Sequence, residues 1–267
     1  MRVIIKGAGE MATGVAHRLH QSGFEIIMTD ITQPTTIRRR VAFSRAIGEG
    51  RAEIEGVVAR RTGVDEIGAA LENGDIAVVP SRDGGWYGSG QGCILVDAVM
   101  AKYNTGTAIT DGDLVIALGP GFKVQEDCHA VVEASRGHHL GKVYYQGCAL
   151  APPELPERNN GPRELRMLRA PGSGLFYPLR EIGQRVEEGE IIAQTGDLPV
   201  AARVSGILRG ILPKGTPVHH GMKAGEIDPD CQPEDCFTIS AEARAVGGAV
   251  LEAILHLRNK QGVKDNK

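Results

Sequence analysis

Residues 2–30 read RVIIKGAGEMATGVAHRLHQSGFEIIMTD, and this stretch decides the fold. Arg2–Lys6 is a continuous β-branched run, as expected of a strand buried on both faces of a parallel sheet. Gly7-Ala8-Gly9-Glu10-Met11-Ala12 then matches the G-x-G-x-x-G/A pattern, and ATGVAHRLHQSG carries inward Val15 and Leu19 at helical spacing. Each position has a physical task. Gly7 makes the tight turn, Gly9 lets backbone approach a diphosphate, and Ala12 lets helix and strand pack closely. Glu10 and Met11 lie in the first helical turn, where N–H groups and the positive dipole end favour an anion. A second strand, Phe24–Thr29, ends in Asp30, about 20 residues past the glycines, where a carboxylate takes a ribose 2′-hydroxyl. The expectation is a Rossmann-like, mostly parallel α/β sheet with helices on both faces. Asp30 repels a 2′-phosphate and so favours an NAD-like ligand, although Arg38, Arg39 and Arg40, on an expected helix, could offset that repulsion.

The same alternation continues through residue 150, with strands expected at Ile54–Ala59 and Ile76–Pro80 and a helix at Val64–Leu71. Ser81–Gly92 is a glycine-rich loop bearing Trp86, a candidate lid. A helix holding Asp97 and Lys102 is expected after it. Leu114–Leu118 is a further buried strand that leads into Gly119-Pro120-Gly121, a turn placed where open α/β sheets bind ligands. Asp127, His129, Glu133, Arg136, His138 and His139 then cluster within thirteen residues. Histidine moves protons near neutral pH and arginine clamps anions, so His129 is the candidate proton carrier and Arg136 the candidate clamp. His138 and Lys102 complete the candidate catalytic set. No metal site is expected, since neither this cluster nor Cys231-x4-Cys236 has a strong ligand spacing.

Residues 151–164 are proline-rich and polar, and read as a linker after a 1–150 dinucleotide-binding domain. Beyond it the chain repeats at an offset of 32 residues, pairing Ala170 with Ala202, Ser173 with Ser205, Gly174 with Gly206, Gly183 with Gly215, Val186 with Val218 and Gly189 with Gly221. Each copy carries a G-x-x-V-x-x-G step, which implies a small β sandwich over 165–235. That repeat resembles the barrel-sandwich hybrid of biotinyl and lipoyl carriers. The hairpin Thr195–Pro199 holds no lysine, so carrier activity is not implied. A last helix over 236–258, capped at Ser240, is expected to dock on the α/β domain through Gly247 and Gly248, ahead of a charged tail at 259–267.

The 30 basic residues nearly balance the 33 acidic ones, giving a formal charge of −3 that offers no pull on nucleic acid or an anionic membrane. No run of 18 apolar residues suggests a membrane span. Five scattered cysteines and no leader-like start lead us to expect a cytoplasmic protein with reduced thiols. A homo-oligomer stays open.

The segments GAGEMATGVAHRL (7–19), ILVDAVMAKYNTGT (94–107), LVIALGPGF (114–122), HAVVEASRGHHLGKV (129–143), GMKAGEIDP (221–229) and CFTISAEARAVGGAVLEAIL (236–255) resemble the YqeB family of the selenium-dependent molybdenum hydroxylase system. The resemblance implies help in maturing enzymes of the xanthine dehydrogenase type, which carry a molybdopterin dinucleotide. It names a pathway and no catalytic residue. Three functions follow: an accessory protein that binds NAD(H) or molybdopterin dinucleotide and serves an apo molybdenum hydroxylase, a stand-alone NAD(H)-dependent oxidoreductase, or a non-catalytic module that senses a nucleotide.

Overall fold

The computed structural model describes residues 1–81, 92–151 and 162–265. Trp86 and most of the expected lid and linker lie outside them. The chain divides into one unit of Met1–Pro34, Phe43–Pro152 and Ile239–Lys267 and another of Thr35–Ala42 and Pro153–Thr238.

The first unit is built on a nine-stranded sheet. Its strands are β1 (Arg2–Lys6), β2 (Glu25–Ile31), β3 (Arg51–Ile54), β4 (Val57–Arg61), β5 (Ile76–Ser81), β6 (Ile94–Asp97), β7 (Leu114–Leu118), β8 (Ala130–Val132) and β9 (Val143–Tyr144), in the order β3-β4-β5-β2-β1-β6-β7-β8-β9. β1 is central, parallel to β2 on one side and β6 on the other. Only the β3–β4 and β8–β9 pairs are antiparallel. Successive residues of β1 face opposite ways, as the period of a strand requires. Val3 and Ile5 pack with Val15 and Leu19 of α1 (Glu10–Gln21), while Ile4 packs with Ile67 and Ala70 of α3 (Ile67–Glu72) on the other side. A short α2 (Arg45–Glu49) joins the α1 side through Ala46 and Ile47. Helices thus cover both faces.

Several local expectations shift. Ile54–Ala59 is not one strand: Glu55 and Gly56, both at positive φ, turn the chain between β3 and β4. Asp97 is the last residue of β6, and the segment from Ala98 to Thr107 that carries Lys102 is irregular rather than helical. The arginine run forms only a short 3-10 turn at Arg39–Val41.

In the second unit, α4 (Pro162–Leu165) precedes two antiparallel four-stranded sheets. The strands are β10 (Met167–Arg169), β11 (Gly174–Pro178), β12 (Arg185–Val186), β13 (Ile191–Thr195), β14 (Leu198–Ala201), β15 (Gly206–Ile211), β16 (Thr216–Val218) and β17 (Lys223–Asp228). The sheets run β10-β17-β15-β12 and β14-β13-β11-β16, so each takes two strands from each sequence copy. Even single hydrogen bonds repeat at the 32-residue offset: Gly183 N–H donates to Leu208 O (2.9 Å) and Gly215 N–H to Phe176 O (2.8 Å). Phe176, Val186, Leu208 and Val218 meet in one shared core. Thr35–Ala42 fastens to this unit. Ile211 N–H donates to Ile37 O (2.9 Å), and the Arg38 guanidinium meets Glu226 Oε1 at 2.8 Å with both side chains mostly buried. Arg38 is therefore engaged by a carboxylate of the β unit.

In the first unit, α5 (Ala241–Asp265) starts under a Ser240 cap, whose Oγ accepts Ala243 N–H at 3.2 Å. It lies along α1. A methyl added at Gly14 would fall 2.6 Å from the Ala243 carbonyl oxygen, and one at Gly247 would fall 2.6 Å from Gly14 O, so the two backbones nearly touch. Gly248 has open space instead. The helix continues past Arg258 to Asp265. Among the described residues no helix is long and apolar enough to cross a membrane, and no three potential metal ligands converge.

Candidate functional site

The parallel strands β2, β1, β6 and β7 end side by side, and the order of connection reverses between β1 and β6, the point where open α/β sheets form a crevice. There Gly7 stands at φ +98°, a conformation that disfavours any side chain. Its N–H donates to Thr29 O (2.7 Å), and a Cβ would sit 2.8 Å from Ala98 O. Gly9 follows as the N-cap of α1 in extended conformation, with no side chain capping the helix. Ala12 is fully buried beneath the first turn. Thus Gly7, Gly9, Glu10, Met11 and Ala12 form the expected strand–turn–helix junction at the carboxyl edge of the sheet.

Asp30 lies next to this junction. Its carboxylate accepts Ala8 N–H at 2.9 Å through Oδ2 and Ile31 N–H at 2.8 Å through Oδ1. Burial pushes its carboxyl above the ordinary aspartate range, opposed by those two N–H groups. Each oxygen keeps a lone pair beyond the bond it accepts, so Asp30 can brace the turn and still receive a hydroxyl. The start of α2 closes the side of the turn: Ser44 N–H donates to Ala8 O (2.8 Å) and Phe43 N–H to the Thr13 hydroxyl (2.9 Å).

On the opposite flank is a charged network that the sequence reading missed. Lys6 ends β1 and Asp97 ends β6, directly opposite each other in register, and both are almost fully buried. Lys6 Nζ lies 3.5 Å from Asp97 Oδ2 and donates to the hydroxyls of Thr105 (3.0 Å) and Thr107 (3.2 Å). The Thr107 hydroxyl donates to Asp97 Oδ2 at 2.5 Å, and Val99 N–H to Oδ1 at 3.1 Å. Buried charges are tolerated only when paired and hydrogen-bonded, and this pair is both. Its effect is to pin Ala98–Thr107 across the end of the sheet. Asn104 adds bonds to Gly106 N–H, Thr107 N–H and Thr107 O, each within 2.9 Å. The signal was in the sequence: RVIIK and ILVD each place one charge at the carboxyl end of an apolar strand.

Gly119 and Gly121 turn the chain at the end of β7, both at positive φ. A Cβ on Gly121 would fall 2.6 Å from Tyr103 Cα, so this turn presses on the pinned segment. Lys102 is exposed on that same segment.

The other candidate catalytic residues are not brought together with it. His129 precedes β8 at the amino end of the sheet, the side away from the glycine turn, and its Nδ1 accepts Val115 N–H at 2.9 Å. Burial pulls its pKa below the ordinary value. Glu133, fully buried at the other end of β8, accepts Ser135 N–H (2.9 Å) and Leu150 N–H (2.8 Å). Arg136 pairs with Glu242 of α5 at 3.1 Å. His138 is exposed, edge-on to His139 with ring centroids 5.1 Å apart.

No protein-family model matches the chain. Solved structures with local likeness include an aspartoacylase family protein from Mesorhizobium loti (16% identity, 26% of this chain and 24% of that one, TM-score 0.23) and the ectoine utilization protein EutE (DoeB) from Ruegeria pomeroyi (20% identity, 25% and 23%, TM-score 0.23). Likeness that slight carries no argument about fold or activity. The uncharacterized protein YqeB of Escherichia coli K12 is 41% identical over 266 residues, which cover 99% of this chain and 49% of YqeB. The chain is thus similar to YqeB and spans about half of that protein's length.

Proposed function

We propose that this chain binds a dinucleotide of the NAD or molybdopterin dinucleotide class at the glycine turn, and that it serves the maturation of a molybdenum hydroxylase by preparing or delivering cofactor. The observation that carries the binding reading is the placement of Gly7–Gly9 just past the end of the central strand, at the point where connections reverse, with the start of α1, which no side chain caps, behind it. A diphosphate there meets N–H donors and the positive end of the helix dipole. Asp30 supplies an acceptor for a ribose 2′-hydroxyl and repels a 2′-phosphate. In this reading Gly119 and Gly121 shape the far wall, where the second half of the ligand lies. Arg136, His138 and Lys102 stay candidates for contacts to a partner or substrate, and His129 for a role at the amino end of the sheet. The maturation role rests on the sequence resemblance.

The test is native mass spectrometry of freshly purified protein, followed by thermal shifts with NAD(H), NADP(H), ADP-ribose and pterin nucleotides. A bound mass or a shift with dinucleotides, smaller for NADP(H), is the expected result. No added mass and no shift with any of them would remove the binding reading. For the maturation role, adding the purified chain to an inactive hydroxylase from cells lacking it should restore activity, and unchanged inactivity would count against it.

A further inference from the structure

Three large apolar side chains lie exposed within five residues of the pinned segment: Val99 (41%), Met100 (40%) and Tyr103 (70%). Their neighbourhood is the glycine turn itself. The position a Gly7 Cβ would take is 3.1 Å from Val99 N, and that of a Gly121 Cβ is 2.6 Å from Tyr103 Cα. The three residues therefore bridge the turns that end β1 and β7. Met100 also stands at φ +62°, one of only three non-glycine residues with positive φ among those described. Such a conformation is costly for an unbranched L-residue, and strain of this kind concentrates where backbone is held ready for a ligand. What holds it is the lysine–aspartate–threonine network below, together with the bonds of Asn104.

An apolar shelf at this location has a definite chemical use. A dinucleotide seated on the turn has its diphosphate at α1 and sends its second base across the ends of β6 and β7, toward Tyr103. Resting on the proposed binding at the turn, we infer that Val99, Met100 and Tyr103 form a stacking shelf for the planar heteroaromatic ring of the ligand's second half. An aromatic face and a polarizable thioether are suited to a flat π-system, and they tolerate nicotinamide or pterin alike. The rigid attachment means that the shelf exists before the ligand arrives, so little ordering is needed on binding.

The test compares NADH with ADP-ribose, which shares the adenosine and diphosphate but lacks the second ring, by calorimetric titration of wild type, Tyr103→Ala and Tyr103→Phe. Wild type should bind NADH more tightly than ADP-ribose, with a rise in reduced-nicotinamide fluorescence. Tyr103→Ala should weaken NADH about two- to tenfold, as loss of one aromatic contact does, and leave ADP-ribose unchanged. Tyr103→Phe, which keeps the ring, should retain wild-type affinity for both. ADP-ribose binding that persists while NADH affinity ignores Tyr103→Ala, or an equal loss for both ligands, would overturn the shelf and leave the turn as a nucleotide site. Absence of ADP-ribose binding to wild type would overturn the site and the shelf together.

Discussion

Gly14→Ala sets two physical effects against each other. Gly14 is in the middle of α1, where alanine should stabilise the helix by about 1 kcal/mol on propensity alone. The added methyl, however, would stand 2.6 Å from both the Ala243 Cβ and the Ala243 carbonyl oxygen. Ordinary carbon contacts lie at about 3.5–4.0 Å, so α5 must retreat by roughly 1 Å. A gap of that size forfeits a quarter to a half of the dispersion attraction across the contact. The loss falls on Ala243, Val246, Ala249, Val250, Ala253 and Ile254, all buried on α5. Overpacking of this kind costs about 1–3 kcal/mol, and several buried side chains loosen together here, so a net destabilisation of about 2 kcal/mol is expected after the propensity gain. Adding Ala243→Gly should recover only part of it, because the carbonyl clash persists. Urea denaturation of the three proteins measures this. A neutral or stabilising Gly14→Ala would mean that α5 does not pack on α1 at this distance, and the reasoning would fall.

Two further perturbations concern buried charge. Burial pushes the Glu226 carboxyl up, but the Arg38 guanidinium and the Lys223 ammonium outweigh it and hold the group down at about 2. Its contribution to stability is therefore present above the ordinary glutamate value and lost as pH falls from about 4.5 toward about 2. Glu226→Gln should remove that acid sensitivity and destabilise the protein at pH 7 by about 1–3 kcal/mol, through loss of the charge-assisted bond to Arg38, read by chemical denaturation, whereas an unchanged midpoint would refute the pairing. His129 has the opposite chemistry: its folded pKa is depressed, so the unfolded chain binds the extra proton first, and stability should fall as pH drops below about 6.5. His129→Asn keeps an acceptor for Val115 N–H without a titrating ring, and a variant as pH-sensitive as wild type between pH 7 and pH 5 would refute this assignment.

Features encoded locally were legible in the sequence. The β1–turn–α1–β2 junction is read from adjacent residues because each glycine has a separate steric duty, and the buried apolar runs mark β5 and β7 as strands. The β repeat was equally plain, since Gly183, Gly189, Gly215 and Gly221 all occupy positive φ and so cannot easily drift. What stayed hidden depends on partners distant in sequence. Lys6 looked like the tail of an apolar run because its partners Asp97, Thr105 and Thr107 lie some hundred residues away. The polar residues from His129 to His139 are dense in sequence, yet β8 runs between His129 and Arg136 and separates them. Proximity along a strand is distance in the fold. Gly14 gave no warning of its contact because only α5, more than two hundred residues later, fills the space beside it.

The central claim is that the turn receives a diphosphate, and ADP-ribose titrated calorimetrically into wild type and Gly9→Ala tests it most directly. Gly9 sits at φ −69° and ψ −174°, which any residue adopts, so its backbone conformation gives the variant no reason to unfold. The account predicts one bound ADP-ribose per wild-type chain, and at least about tenfold weaker binding to Gly9→Ala, whose unfolding midpoint is unchanged, since that glycine admits the diphosphate to the backbone. Equal affinity of the two proteins, or no heat of binding with either, would contradict it.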